Sequence, residues 1–302
     1  MNNLKKSTIA DIALFFVALG WGLNFVVEKK SLTAITPLMY LGLRFTLSAL
    51  LMAVIFHKQL KNITKEDIKG GLIIGLFVLL GFVTQTVGLV YTTPSKSGFI
   101  TGSNVVMVPF LAYFITKEFP QLNQIVGAII TFVGLGFVSI DENLVIGWGD
   151  ILTLLCALCF ALQITFTEYY VKKSNPINIA FIQIALTGII TMGIAIIQEP
   201  AISLSYDLEI WGSIFFGAVF CTAGAFAVQN VAQKYTSSTH AAVILCTESI
   251  FAGIFSYLFW GEPLALKTVV GFVLVLAGVL ITEIVPARAT ECIKESAETT
   301  TL

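Results

Sequence analysis

The chain has 302 residues, of which 57% are hydrophobic and only 12% charged, and its mean hydropathy is +0.91. About a quarter of a soluble globular domain is charged, so the bulk of this chain belongs in lipid. A formal net charge of -1 points to neither nucleic acid nor an acidic partner, and five cysteines, four of them in apolar runs, do not form a disulfide framework.

The first apolar run, Thr8–Glu28, follows Lys5 and Lys6 as a signal peptide would, but it has no small-x-small cleavage site and is long enough to cross a bilayer. It is read as span 1. Span 2 is Thr36–Phe56, span 3 Ile68–Tyr91, span 4 Pro94–Ile115 and span 5 Gln121–Ile140. Span 6 is Gly147–Val171, span 7 Ile177–Ile197, span 8 Glu209–Ala232, span 9 Ser237–Phe259 and span 10 Leu264–Glu283, followed by a short polar tail over 285–302. Ten crossings of roughly 20 residues use about 200 and leave about ten per connection, too few for a soluble domain. Long runs without alternation must satisfy their own backbone in lipid, which excludes strands and makes the class all-α integral membrane.

Lys5, Lys6, Lys58, Lys61, Lys65, Lys69, Lys117, Lys172, Lys173, Lys234, Arg288 and Lys294 fall on one side of this topology, and Lys29, Lys30, Lys96 and Lys267 on the other. The bias predicts that both termini are cytoplasmic.

A shift of 139 places Asp11 on Asp150, Ala18 on Ala157, Trp21 on Phe160, Asn24 on Gln163 and Pro37 on Pro176. A shift of 144 places Gln85 on Gln229, Tyr91 on Tyr235, Glu118 on Glu262, Gly127 on Gly271 and Gly134 on Gly278. Two long registers differing by five residues indicate a duplication, with repeats at 8–140 and 147–284. Five spans per copy is an odd number, so the copies enter the membrane from opposite sides. Inverted repeats of this kind are typical of secondary transporters, in which exchanging the two conformations opens a central site to one side and then the other.

The sequence Trp21-Gly22-Leu23-Asn24-Phe25, Arg44 in Leu43-Arg44-Phe45, the Tyr91-Thr92-Thr93-Pro94-Ser95 junction leading to Pro109, and Glu118 and Glu262-Pro263 with Gly127 and Gly271 downstream resemble the EamA-type carriers of the drug/metabolite transporter superfamily. The resemblance covers both repeats. It implies ten helices around a central cavity lined mainly by helices 1, 3, 4, 6, 8 and 9, and the movement of amino acids or related metabolites, often outward. Ala161-Leu162-Gln163 departs from the Gly-x-Asn of the first copy.

An ionisable group near the centre of a span costs roughly 2.5 to 3.5 kcal/mol, so it calls for a partner or a wet cavity. In span 1, Trp21 and Asn24 are three apart and share a face, read as cavity lining against plain packing. Arg44 could hold a carboxylate bidentately, but span 2 is peripheral and the repeat mate is Gln183, which favours a structural tie or snorkelling. Gln85 and Gln229 are mates, with Asn230 beside the second; amides suit a zwitterion and equally join helices. Asn104 and Glu248 are mates near the middles of spans 4 and 9, where Glu248 would bind a substrate ammonium or take up a coupling proton, against a purely structural carboxyl. Gln163, the mate of Asn24, completes the expected substrate-binding set. Cys156-x-x-Cys159 lacks convergent histidines and is read as packing, and Gly127, Gly134, Gly136, Gly271 and Gly278 as close helix contacts.

Four ends of spans carry charge: Glu28 and Lys96 on the outer side, Glu168 and His240 on the inner side. The expected gates are Glu28 with Lys96 and Glu168 with His240, each pair joining the first and fourth spans of its own repeat only when that side is shut. The alternative is interfacial charges meeting water or headgroups. A partly solvated pair biases such an equilibrium by about 1 kcal/mol. Because histidine titrates near neutrality, inner closure should weaken as cytoplasmic pH rises.

An enzyme would need a nucleophile with a base or a metal cluster, and the chain has no Gly-x-Ser-x-Gly, no His-Glu-x-x-His, no phosphate-cradling Gly-Lys-Ser/Thr loop and only two histidines. No cofactor is implied. The expected function is a plasma-membrane secondary transporter that exports a small polar metabolite, an amino acid or related compound, by alternating access, with proton or counter-substrate coupling left open. The alternatives are a carrier of phosphorylated sugars or nucleotide-sugars and a passive channel.

Overall fold

The computed structural model describes residues 2–117, 119–139, 147–198, 205–263 and 265–283, without the side chains of Asn2–Lys5, Thr116, Val138, Ser139 and Glu283. Glu118 and the expected polar tail lie outside the described residues. Among those described, all regular structure is helical: α1 Asn2–Ser31, α2 Pro37–Ile55, α3 His57–Leu60, α4 Lys65–Val90, α5 Pro94–Gly102, α6 Asn104–Thr116, α7 Leu122–Ser139, α8 Trp148–Val171, α9 Pro176–Gln198, α10 Leu208–Phe216, α11 Ala225–Ala232, α12 Ser238–Leu245, α13 Glu248–Phe255 and α14 Leu266–Glu283. Wide π-helical turns follow α10 at Gly217–Gly224 and α13 at Ser256–Trp260. Eight helical stretches are long and apolar enough to cross a membrane, and two shorter apolar ones, Leu122–Phe137 and Leu266–Thr282, stand where spans 5 and 10 were expected.

Local chemistry starts and stops these helices. Proline opens α2, α5 and α9, where its missing N–H is one that the first turn leaves unbonded anyway. At the start of α4, Asp67 Oδ2 accepts from Thr64 N (2.9 Å) while Thr64 Oγ1 accepts from Asp67 N (3.1 Å), a reciprocal cap. The same carboxylate accepts from Asn175 N and Asn178 Nδ2, each at 2.9 Å, which clamps α4 to the start of α9. The ends of spans 4 and 9 turn left-handed at Lys117 (φ 61°) and Gly261 (φ 77°), which are repeat mates, so the stop survives with and without the glycine that adopts it freely.

Spans 4 and 9 are each broken in the middle. Val106 N bonds Ser103 O (3.3 Å) between α5 and α6, and Ile250 N bonds Thr247 O (3.0 Å) between α12 and α13. Both are tightened i to i−3 turns, and the shift of 144 carries one onto the other. Asn104 and Glu248 are the first residues beyond these breaks.

Packing is through close approach. A Cβ on Gly134 would lie 2.8 Å from Gly271 O, and one on Gly278 2.7 Å from Gly127 O, so α7 and α14 meet backbone to backbone. Elsewhere α4 lies against α8 and α9, α2 against α9 and the π turn at Gly217–Gly224, α1 against α11, α12 and α13, and α6 against α8. Helices from both halves of the chain therefore surround a common centre.

Candidate functional site

At that centre is a cavity of about 40 Å³. That is room for a few waters and no more in this conformation. Its wall is Trp21, Asn24, Phe25 and Glu28 of α1, Arg44 of α2, Phe82 and Gln85 of α4, Asn104 of α6, Phe160, Gln163 and Ile164 of α8, Phe226 of α11, Leu245 of α12 and Glu248 of α13. Most of this wall consists of repeat mates: Trp21 with Phe160, Asn24 with Gln163, Phe25 with Ile164, Phe82 with Phe226, and Asn104 with Glu248. The aromatic contacts repeat too, Trp21 to Phe226 at 5.8 Å between ring centroids and Phe160 to Phe82 at 5.1 Å.

Six of the seven expected substrate-binding residues, Trp21, Asn24, Gln85, Asn104, Gln163 and Glu248, are on this wall. Trp21 is fixed by donating Nε1–H to Cys221 O (2.8 Å), a carbonyl of the π turn. Gln85 Nε2 donates to Thr101 Oγ1 (3.1 Å), and Gln163 Nε2 to Thr167 Oγ1 (3.1 Å). Gln229 stands one layer behind, fully buried, donating to Gln163 Oε1 (3.3 Å) and Gln233 Oε1 (3.2 Å). The Glu248 carboxylate is buried and makes no hydrogen bond or ion pair with the described residues. Asn24 Oδ1 and Asn104 Oδ1 are likewise buried without partners.

The gate pairs expected from the sequence are not the pairs found. Glu28 faces the cavity: its Oε2 accepts from Arg44 Nη1 (3.0 Å) and Asn24 Nδ2 (2.8 Å), and its Oε1 from Thr86 Oγ1 (2.6 Å). Lys96 instead reaches Asp150 (2.6 Å), which also accepts from Thr92 Oγ1 (3.1 Å) and from Gly147 N (2.8 Å) at the start of α8. Glu168 bonds Lys172 Nζ (2.8 Å) and Ser238 N (2.7 Å), capping α12, and His240 Nε2 lies 3.4 Å from Asp11 Oδ1. The physical reason is reach. Glu28 is far enough down α1 to meet the guanidinium from α2, whereas Asp150 in the first turn of α8 and Asp11 within α1 are within reach of Lys96 and His240 in the first turns of the broken spans. Asp11 and Asp150 are repeat mates, as are His240 and Lys96, so each pair is the counterpart of the other and each joins the two halves rather than closing within one.

Arg44 neither snorkels nor lies at the periphery. It is fully buried, with Nε donating to Thr222 Oγ1 (2.8 Å), Nη1 to Glu28, and the guanidinium carbon 5.1 Å from the centre of the Phe82 ring. Gly217 makes room, since a Cβ there would be 3.1 Å from the Arg44 Cδ and Nε. The structural tie is real, joining α2 to α1 and to the π turn, and it borders the cavity. Only the cost of an arginine in an apolar run signalled this in the sequence; Thr86 and Thr222 carry no comparable signal. Cys156, Cys159, Cys221 and Cys246 are buried free thiols, and no group of three potential metal ligands occurs among the described residues.

Residues 8–140 and again 147–284 match the model of the EamA-like transporter family. The chain belongs to the EamA-like transporter family. A protein named as an uncharacterized transporter of Archaeoglobus fulgidus is 35% identical over 276 residues, covering 91% of this chain and 86% of its own. The uncharacterized transporter YyaM of Bacillus subtilis is 24% identical, covering 86% of this chain and 88% of its own. A crystal structure superposes with a TM-score of 0.71 at 12% identity over 91% of this chain and 96% of that one, a likeness of fold. This EamA-family chain is thus a multi-pass membrane protein with a transport role.

Proposed function

We propose that the chain is a secondary transporter which exports a small polar metabolite, an amino acid or related compound, across the plasma membrane by alternating access. The observation that carries this reading is the cavity wall, in which five pairs of repeat mates from the two halves line one cavity, among them Asn104 and Glu248 beside the two helix breaks. A site of this kind belongs equally to both repeats, so exchanging their conformations changes which side reaches it without rebuilding it. The ten-helix, inverted-repeat arrangement is part of the same proposal, with Leu122–Phe137 and Leu266–Thr282 as the fifth member of each copy.

The charges on the wall support a zwitterionic or weakly charged cargo. Arg44 is neutralised by Glu28, and Glu248 remains, so the wall presents one guanidinium against two carboxylates. A phosphorylated sugar would need an excess of cationic groups there. In the proposed cycle Lys96 with Asp150 holds the outer side and His240 with Asp11 the inner side, and Glu248 and Asn104 receive the ammonium or a coupling proton.

The test is metabolite profiling of medium and cytoplasm from cells with and without the chain, followed by counterflow of the compound that moves in proteoliposomes. Export of an amino acid with saturable counterflow is expected. No compound redistributed, or flux near diffusion rates without saturation, would overturn the carrier reading.

A further inference from the structure

The wall residues outside the matched pairs are where the two halves of the cavity differ most in chemistry. Glu28 and Arg44 face the cavity, whereas their mates, Thr167 and Gln183, do not line it. The frame that both repeats share is neutral on the first copy's side at Asn104 and carries a carboxylate on the second's at Glu248. Against that frame stands one guanidinium, from the first copy alone.

That guanidinium is held in a fixed pose. Nε is taken by Thr222 and Nη1 by Glu28, while the rings of Phe82 and Phe45 flank its carbon at 5.1 and 5.7 Å. Nη2 is buried and has no partner among the described residues, in a side chain 1% exposed on the wall of the cavity. A buried donor of a charged group left unbonded keeps its full desolvation cost, so the arrangement is complete only when something in the cavity accepts from it. Glu248, Asn24 Oδ1 and Asn104 Oδ1 are the reverse case, acceptors on the same wall without donors among the described residues.

We propose that Arg44 is a specificity-determining residue: its Nη2 edge receives a carboxylate oxygen of the transported compound, while the unbonded acceptors of Glu248, Asn104 and Asn24 receive its ammonium. This rests on the metabolite reading above and names the class within it, a free α-amino acid. The charges then alternate through the site, from Glu28 to Arg44 to the bound carboxylate, and from the bound ammonium to Glu248. Glu28 acts here as a positioning residue. It holds the guanidinium in place and keeps it from attracting inorganic anions on its own. A charge-assisted bond to a fixed guanidinium is short and directional, so a compound lacking the anionic oxygen leaves the donor unsatisfied and is rejected.

The test uses the purified full-length chain in detergent, with thermal stabilisation as the binding readout. The probes are the proteinogenic L-amino acids and the primary amides of the same compounds, which keep the ammonium and lose the carboxylate. The proteins are wild type, Arg44→Lys, and the charge-neutral double variant Arg44→Gln with Glu28→Gln, which leaves no buried unpaired charge. We expect at least one amino acid to bind wild type about ten-fold or more tightly than its amide, and that gap to shrink to about two-fold or less in both variants while amide binding stays the same. A merely structural role would weaken acid and amide alike and keep the ratio, which overturns the proposal. Equal binding of acid and amide to wild type, or binding of neither, also overturns it. If the profiling above still finds a compound without a carboxylate moving, the transporter reading stands while this assignment fails. If both variants unfold without ligand, the acid-to-amide ratio for wild type decides alone.

Discussion

Glu248 is a carboxylate in the middle of span 9 with no hydrogen-bond or ion-pair partner among the described residues, and such a group is costly to retain without a task. Replacing it with Gln keeps the shape and removes the charge. Transport by Glu248→Gln is expected to fall at least about ten-fold while the melting temperature stays the same or rises, read by counterflow and thermal unfolding on the same preparation. Normal flux at every pH would remove both the binding and the proton role. Arg44 behaves differently because it has partners. Truncating one side of a buried ion pair leaves the other charge stranded, at about 3 to 5 kcal/mol, so Arg44→Ala is expected to lose folded protein and Glu28→Gln to lose less, since the amide still bonds Thr86.

At the scale of elements, the clamp at Asp67 and the glycine seam between α7 and α14 are the features a single substitution should break. Asp67 caps α4 and bonds two groups at the start of α9, so Asp67→Ala removes three hydrogen bonds at once. A loss of about 2 kcal/mol or more in stability is expected, measured by denaturant unfolding in micelles, with Asp67→Asn recovering part of it. Gly278→Val places a side chain against Gly127 O and Thr131, where the backbone has no room to give. Folded yield should collapse for this variant, and a full yield with unchanged melting temperature would show that the seam is not where α7 and α14 meet. The breaks in spans 4 and 9 were not legible from the sequence. Gly102 stands beside Ser103, but no proline or glycine stands beside Thr247, and what is otherwise visible there is only that Asn104 and Glu248 are equivalent.

At the scale of the molecule, the two ion pairs make a prediction that separates them from the pairs the sequence suggested. If Lys96 with Asp150 and His240 with Asp11 hold opposite sides, then Asp150→Asn should raise labelling of an outer vestibule cysteine and lower that of an inner one as Lys96→Ala does, and Asp11→Asn should match His240→Ala in the reverse sense. Had the partner of Lys96 been Glu28, Asp150→Asn would leave both labels unchanged. A protonated imidazole pairs with Asp11 and a neutral one does so more weakly, so inner labelling of wild type should rise from the acid to the alkaline side of neutrality, with no such change in His240→Ala. Orientation is tested by a reporter fused after Lys61 that works only outside the cytoplasm; silence there agrees with the lysine and arginine bias, and activity would invert the topology.

By itself the sequence determined the solvent of this protein, its helical class, the positions of its long spans and its family, because hydropathy, helix ends and duplicated registers are properties of neighbours along the chain. Six of the residues it singled out line the central cavity, since a polar group in an apolar run must face somewhere wet or bonded. Only the tertiary structure decided who meets whom. The shift of 139 had already set Asp11 beside Asp150 in register, yet nothing in either copy says that Lys96 crosses to the other copy's aspartate, or that Arg44 turns inward to Glu28 rather than outward to the interface. Pairing between helices depends on their tilt and on where small residues such as Gly217 let a long side chain pass, and those quantities exist only once the helices are packed.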